Sequence, residues 1–433
     1  MAAAGSLHDR HRKVMPAWVA LYYEKPIALV RGEGRRVWDA DGNEYLDFFG
    51  GILTTSAGHA VPEIVEAIAS QARSILHTST VYLIEPAVEL AERLVELSPI
   101  PDAKVFFTAS GSEANEAALL LAASYRRSNQ VLALRNGYHG RSFAAVGVTG
   151  NRAWSPSSFS PVVVSYVHGG YRYRSPWRDL ADDAYVAACV DDLRDVIETT
   201  TSGDVACMIA EPIQGVGGFA TPPDGLFGAM KEVLDEYGIL FVDDEVQTAW
   251  GRTGEHFWGI EAHGVVPDVI TFAKGIANGV TLGGVIARAD VMDSLGANSI
   301  STFGGNPVAA RTALATLDHL LGNDLQTNAR KVGEHLIGRL REMQRGRPEL
   351  GDVRGKGLMI GVEVVEPGTE RPDAAAATKL QEGCRARGLL VGKGGLYGNV
   401  LRIAPPLSVT LEEADEALDA FAGAVEASFG DAR

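Results

Sequence analysis

Short apolar runs alternate with stretches of helical periodicity through the middle of the chain. Residues 105–107, 130–134, 205–210, 239–242 and 269–273 predict strands, and 113–126 predicts a helix. Strands separated by helices argue for a mostly parallel sheet covered on both faces. In such sheets, ligands bind beyond the carboxyl ends of the strands, so the residues just after each strand are where chemistry is sought. Before this region, 36–49 predicts two strands around the hairpin signal Asp41-Gly42. Residues 62–77 and 86–97 then predict amphipathic helices, whereas 1–15 is expected to be frayed and 169–183 a loop excursion. After Asn306-Pro307 the pattern predicts helices over 307–321 and 328–343 and a strand region over 351–363. Two more strands are expected within 389–403, followed by a helix opened by the capping box Thr410-x-x-Glu413.

The chain has 433 residues, which suggests about two domains. We expect an N-terminal segment (1–60) that joins a small domain, a large domain (61–305) and a C-terminal small α+β domain (306–433). A total of 49 glycines fits an α/β enzyme with phosphate-binding loops. The net charge of −16 disfavours nucleic acid and anionic lipid as partners. Cys189, Cys207 and Cys384 are far apart, which argues against a disulfide framework or a zinc site and for a cytoplasmic location. No apolar run is long enough to span a membrane.

Four sites that follow strands carry chemistry. Thr108-Ala109-Ser110-Gly111-Ser112-Glu113 places small and hydroxyl residues at a helix N-terminus, a ready anion site or simply a capped helix start. Gly137-Tyr138-His139-Gly140-Arg141 offers an aromatic ring that could stack on a planar ligand or sit in the core. Ile239 to Val242 delivers Asp243-Asp244-Glu245 to a strand end, where unpartnered charge is costly. Lys274 ends an apolar strand and precedes a glycine-rich loop, a setting in which a lysine can lose its proton and form a Schiff base. Each feature alone has a structural explanation. Together they supply a phosphate cradle, an aromatic lid, a carboxylate for a ring nitrogen and a Schiff-base lysine, the set that pyridoxal phosphate requires.

Over about residues 16–427 the sequence resembles the class III aminotransferases, a family with the aspartate-aminotransferase-like (fold type I) α/β architecture. The most specific stretch is Asp244-Glu245-Val246-Gln247-Thr248 with Gly251-Arg252-Thr253-Gly254, followed by Lys274. Ala249-Trp250 departs from the family pattern. The resemblance implies that Lys274 bonds pyridoxal 5'-phosphate and shuttles the proton, while Asp244 pairs with the pyridine nitrogen. It places Gln247 at the ring hydroxyl, Val246 beneath the ring, Tyr138 above it, and Gly111 and Ser112 at the phosphate. Glu211 orders the site, Thr302 reaches the phosphate of a neighbouring subunit, and Arg402 binds the substrate α-carboxylate. A homodimer with a shared active site is therefore implied, and pairing of dimers into a tetramer is left open.

Ornithine- and 4-aminobutyrate-type members carry a second Glu five positions after Glu211, where this chain has Val216. Glu211-Pro212-Ile213-Gln214-Gly215-Val216, Phe257-Trp258-Gly259 and the stretch 351–361 resemble the alanine–glyoxylate aminotransferase 2 branch. That implies ping-pong transfer from alanine or a β- or ω-amino acid to pyruvate or glyoxylate. The alternative is a 4-aminobutyrate:2-oxoglutarate aminotransferase, because Arg141 matches a distal-carboxylate position; Ile52 and Leu53 match pocket-lining positions. Rival classes are a decarboxylase or aminomutase on the same scaffold and a cofactor-binding regulator.

Overall fold

The computed structural model describes residues 6–430 except residue 157. The N-terminal strands β1 (Leu29–Glu33), β2 (Arg36–Asp39) and β3 (Glu44–Asp47) form an antiparallel meander. Strands β4 (Ala103–Thr108), β5 (Gln130–Leu134), β6 (Val163–Val167), β7 (Val205–Ala210), β8 (Leu240–Asp244), β9 (Val269–Phe272) and β10 (Gly283–Arg288) build one seven-stranded sheet in the order β4-β10-β9-β8-β7-β5-β6. Strands β11 (Leu350–Lys356), β12 (Met359–Val364), β14 (Gly392–Gly394) and β15 (Val400–Ile403) form a third, antiparallel sheet. The two-residue strand β13 (Leu389–Leu390) pairs in parallel with β3, so the C-terminal chain completes the N-terminal sheet.

The large sheet is parallel from β6 through β9, and β10 runs antiparallel between β4 and β9. Strands β7, β8 and β9 are buried along their whole length, as the continuous apolar runs require. Helices cover both faces. Leu119, Leu121 and Val131 lie in the cluster on one side; Leu193, Phe227, Phe241 and Phe272 lie in the cluster on the other.

Several expectations shift. Strand β6 and the helix Asp182–Thr200 were not among the expected elements, although Tyr185, Cys189, Leu193, Val196 and Ile197 recur at helical spacing, and β10 was not anticipated because Gly283-Gly284 opens it. Residues 7–14 form a capped helix with no buried residue, so its local capping box outweighs the frayed reading; residues 1–5 lie outside the described ones. The first amphipathic helix stops at Ser74, three residues short of the expected end. Among the described residues, no helix is long and apolar enough to cross a membrane.

Gly333 lies inside the helix Leu325–Arg345, where a Cβ would sit 2.2 Å from the carbonyl oxygen of Gly357. Gly-to-Ala changes in helix interiors ordinarily stabilise by about 1 kcal/mol. Here Gly333→Ala is expected to destabilise by roughly 1–3 kcal/mol through overpacking. Denaturant unfolding checks the sign, and a gain in stability would show that the turn at Gly357 gives way freely.

A second test concerns Asp243 on β8. It is fully buried, and neither carboxyl oxygen has a hydrogen-bond partner. Burial, then the nearby charges of Glu245 and Asp244, push its proton affinity well above the carboxylate norm. The folded state therefore holds a proton that the unfolded chain releases above pH ~4, so stability falls as pH rises from there toward the folded value. Asp243→Asn removes that penalty. The melting-temperature gain of the variant over the parent is expected to widen from pH 5 to pH 8, and a gap that stays constant or narrows would show that Asp243 is ionised in the fold.

Candidate active site

The carboxyl ends of β4, β5, β7, β8 and β9 surround a cavity of about 280 Å³. Its wall includes Ala109, Ser110, Gly111, Ser112 and Asn115 from the first post-strand turn and helix. Tyr138, His139 and Gly140 follow β5, Glu211 follows β7, and Asp244, Val246 and Gln247 close β8. Lys274 follows β9, and the segment 279–282 and Thr54 complete the rim.

The helix Gly111–Arg126 is capped by Ser110, whose hydroxyl accepts from the backbone N–H of Glu113 at 3.2 Å. The N–H groups of Gly111 and Ser112 precede the first helical bond and face the cavity end of the helix, which favours an anion there. Close packing makes glycine necessary around this cradle. A Cβ on Gly111 would press on Val246 at 3.0 Å, and one on Gly140 (φ +135°) would meet Ser112 Oγ at 2.5 Å. The Ser112 hydroxyl is oriented by accepting from Arg141 N at 3.1 Å.

Asp244 is held by three donors. Oδ2 accepts from Asn115 Nδ2 at 2.7 Å and bonds His139 Nδ1 at 2.8 Å, while Oδ1 accepts from Val246 N at 3.1 Å. Asn115 is itself aligned by the Thr271 hydroxyl, which donates to its Oδ1 at 2.6 Å. Side chains alternate along a strand, so Asp244 faces the cavity helix while Asp243 faces the opposite core. Glu245 is buried outside the cavity wall; its Oε1 accepts from Ile260 N at 2.8 Å, which ties down the loop after β8.

Lys274 sits two residues beyond β9 with φ +47°, a left-handed conformation that a lysine adopts only when its surroundings impose it. Trp250 is part of that constraint. It is buried, and its indole N–H donates to the carbonyl of Ala273 at 3.3 Å. Burial lowers the Lys274 ammonium to about 8, against the opposing pull of Asp244. About half of this amine is therefore unprotonated, and nucleophilic, near pH 8. Glu211 lies behind Tyr138. Its oxygens accept from Tyr138 N at 2.9 Å and Gly215 N at 2.8 Å, and burial raises its carboxyl to about 7.

Arg402, on β15, enters from the third sheet. Its Nη2 donates to Gln247 Oε1 at 3.0 Å, and its guanidinium is buried. The structure thus brings together Gly111, Ser112, Tyr138, Glu211, Asp244, Val246, Gln247 and Lys274, with Arg402 joined through Gln247. It does not bring Arg141, Ile52, Leu53 or Thr302 into the cavity wall. Arg141 and Thr302 are exposed, Ile52 is 47% exposed, and Leu53 packs among Ile213, Phe219, Met359 and Ala404. Thr54, the next residue, lines the rim in their place. Asn115 and Thr271 escaped the sequence reading. The available signal was Asn115 one helical turn after Gly111, on the same face.

These residues fit pyridoxal phosphate on structural grounds: a helix N-terminal N–H cradle packed closely at Gly111 and Gly140, an oriented carboxylate in the cavity wall, and a buried lysine with a lowered proton affinity in the same wall. The cofactor supplies an electrophilic carbon and a ring that accepts electrons.

Residues 20–425 match the class-III aminotransferase family. The chain is 39% identical over 420 residues to an alanine–glyoxylate aminotransferase 2 homologue, mitochondrial, from Arabidopsis thaliana, covering 95% of this chain and 86% of the relative. It is 37% identical to an alanine/serine racemase from Pyrococcus horikoshii, covering 98% and 90% of the two chains. The fold matches the crystal structure of an amine transaminase from an uncultivated Pseudomonas species in its pyridoxal-phosphate-bound form, with a TM-score of 0.88, 30% identity, and coverage of 99% and 98%. A phosphate cradle, an oriented aspartate and a buried lysine thus stand in a chain that matches one family almost end to end: this protein belongs to the class III aminotransferases, pyridoxal-phosphate-dependent enzymes of fold type I.

Proposed function

We propose that the chain moves an amino group from alanine, or from a β- or ω-amino acid, to pyruvate or glyoxylate in a ping-pong cycle. The observation that carries this reading is the environment of Arg402. Its side-chain hydrogen bond goes to the neutral amide of Gln247, and Val216 stands where a covering glutamate would be. A guanidinium without a bound acid is open to a substrate carboxylate, which it can meet bidentately. An α-amino acid or an α-keto acid presents that carboxylate next to the reacting carbon.

Lys274, unprotonated near its lowered value, is the group that would take the proton from the substrate carbon and return it to the other side of the transfer. Asp244, fixed by Asn115 and His139, would hold the ring nitrogen. Gly111, Ser112 and their helix N-terminus would hold the phosphate, and Tyr138 and Val246 would bracket the ring. The 4-aminobutyrate:2-oxoglutarate reading needs a second carboxylate site, and the exposed Arg141 outside the cavity wall weighs against it. The racemase relative makes product stereochemistry a further discriminator.

A homodimer belongs to the same proposal. Val81 (65% exposed), Tyr82 (70%), Leu83 (99%), Ile300 (60%) and Phe303 (63%) leave a band of large apolar side chains uncovered beside exposed Thr302. Exposed apolar surface of this kind marks an interface, and a second copy placed there would bring Thr302 toward a neighbouring site.

The test uses the pyridoxamine-phosphate form offered pyruvate, glyoxylate, succinic semialdehyde or 2-oxoglutarate separately, with recovery of the pyridoxal absorbance as the readout. Fast recovery with pyruvate or glyoxylate is expected, and recovery confined to succinic semialdehyde and 2-oxoglutarate would overturn the substrate assignment. Lys274→Ala is expected to slow the transfer by roughly 100-fold or more. It should also abolish borohydride fixation of the cofactor to the protein; retained turnover would remove Lys274 from its role.

A further inference from the structure

Arg402 presents an electrostatic problem that Gln247 alone does not solve. The guanidinium is 4% exposed, and its Nε has no hydrogen-bond partner. Two aromatic rings lie against it. The guanidinium carbon lies 4.7 Å from the Phe219 ring centre and 5.0 Å from that of Phe49. Ring faces carry negative quadrupole density, so each compensates the cation without using one of its N–H donors. Gln247 takes one of those donors, and the buried Nε–H is left without a partner.

The rings are themselves fixed by the fold. Phe219 is fully buried and has φ +53°, directly after Gly218 at φ +92°. The Gly218 carbonyl accepts from Arg354 Nε at 3.1 Å and Nη2 at 2.8 Å, and Arg354 is ion-paired to Asp352 and Glu363. The hairpin between Gln214 and Ala220 closes the loop. On the other side, Phe49 follows β3, and its ring lies where a Cβ on Gly392 of β14 would collide at 2.1 Å. Two separate parts of the chain therefore converge on one side chain.

We propose that Phe219 and Phe49 are specificity-determining residues, whose rings hold Arg402 in its carboxylate-binding pose in the role a covering acid would otherwise play. This inference rests on the aminotransferase reading above. An arriving carboxylate meets no acid that must first be displaced. A donor that lacks a carboxylate leaves the buried Nε–H unpaired, which a polar site rejects more strongly than a missing methylene. The rings thus tie amino-donor choice to the α-carboxylate: alanine is accepted, and an amine with an alkyl group in its place is refused.

The test compares L-alanine with 2-aminobutane, in which an ethyl group stands where alanine has its carboxylate. The pyridoxal-to-pyridoxamine half-reaction of the cofactor-loaded enzyme is followed by absorbance for the parent, Phe219→Leu, Phe49→Leu and Phe219→Tyr. The alanine-to-2-aminobutane ratio of kcat/KM is expected to fall about tenfold in each Leu variant, mainly through KM for alanine, as befits the loss of one desolvated cation–ring contact. Phe219→Tyr, which keeps the ring, is expected to retain most of the ratio. Phe49, only partly buried, covers the case in which Phe219→Leu fails to fold. Equal losses on both amines would overturn the proposal. Calorimetric titration with propionate is the independent readout, with binding expected to weaken about tenfold in the Leu variants and unchanged binding counting against the rings. If the parent converts no amine at all, the aminotransferase reading fails, while the propionate titration still decides whether the rings govern carboxylate binding.

Discussion

The orientation of one carboxylate, Asp244, is the constraint on which the rest of the site depends. It sits at the end of a fully buried strand, where an unpartnered acid would be strongly disfavoured. Asn115, His139 and the Val246 amide supply its donors, and each is placed by a different element: the cavity helix, the turn after β5 and the loop after β8. Thr271 on β9 aligns Asn115 in turn. The seven-stranded sheet is what brings these elements within hydrogen-bond reach. The same sheet places Lys274 one strand over from Asp244, so the acid and the amine share one cavity without a direct hydrogen bond between them in the structure. The neighbouring strand position has the opposite solution. Asp243 faces the other core and has no donor, and it meets burial by keeping its proton.

The third sheet is attached to the cavity by buried arginines. Arg252 lies after β8 and donates to the carbonyls of Leu358 and Pro405, at the edges of β12 and β15. Burial lowers its guanidinium to about 9. Arg354 reaches from β11 to the Gly218 carbonyl, and Arg402 reaches from β15 to Gln247. Guanidinium suits this task because its flat fork can satisfy several acceptors at once while its faces pack against rings. The position of Arg402 is therefore mechanically joined to the seam between the two sheets. A change in how the C-terminal part packs would move Arg402 relative to Lys274.

Much of this was legible in the sequence because the chemistry follows the strands. Lys274, Asp244, Gly111 and Tyr138 each follow an apolar run, and the α/β pattern alone directs attention there; Glu211 came only with the family resemblance. What escaped was set by tertiary geometry. Asn115 is an ordinary polar residue in an alanine-rich helix until the fold places it under Asp244. Arg141 follows Tyr138 closely, yet the turn after β5 sends it to solvent. Strand β10 begins with Gly283-Gly284, residues that weaken any strand signal, because a Cβ on Gly284 would strike the Phe272 ring at 2.5 Å. Trp250 looked like a departure from the family pattern, whereas the fold uses it to brace the carbonyl preceding Lys274.

Backbone strain falls on the same residues. Lys274 (φ +47°), Trp250 (φ +68°), Phe219 (φ +53°) and Ile52 (φ +67°) all occupy a region that costs non-glycine residues on the order of 1–2 kcal/mol. Two of the four hold a contact of the site through that conformation. Trp250 would lose its bond to the Ala273 carbonyl, and Phe219 would withdraw from Arg402. The segment Gly50-Gly51-Ile52-Leu53 has positive φ at every residue, a left-handed turn closed by Thr54 N donating to Gly50 O at 2.7 Å. That turn delivers Thr54 to the cavity rim and leaves Ile52 facing outward. Such a turn persists only because Phe49 before it and Leu53 within it are locked into the cluster with Ile213, Phe219, Met359 and Ala404. The hydrophobic contact that holds this strained turn and the ring that faces Arg402 are thus parts of one packing unit, so the shape of the rim and the pose of Arg402 are set together.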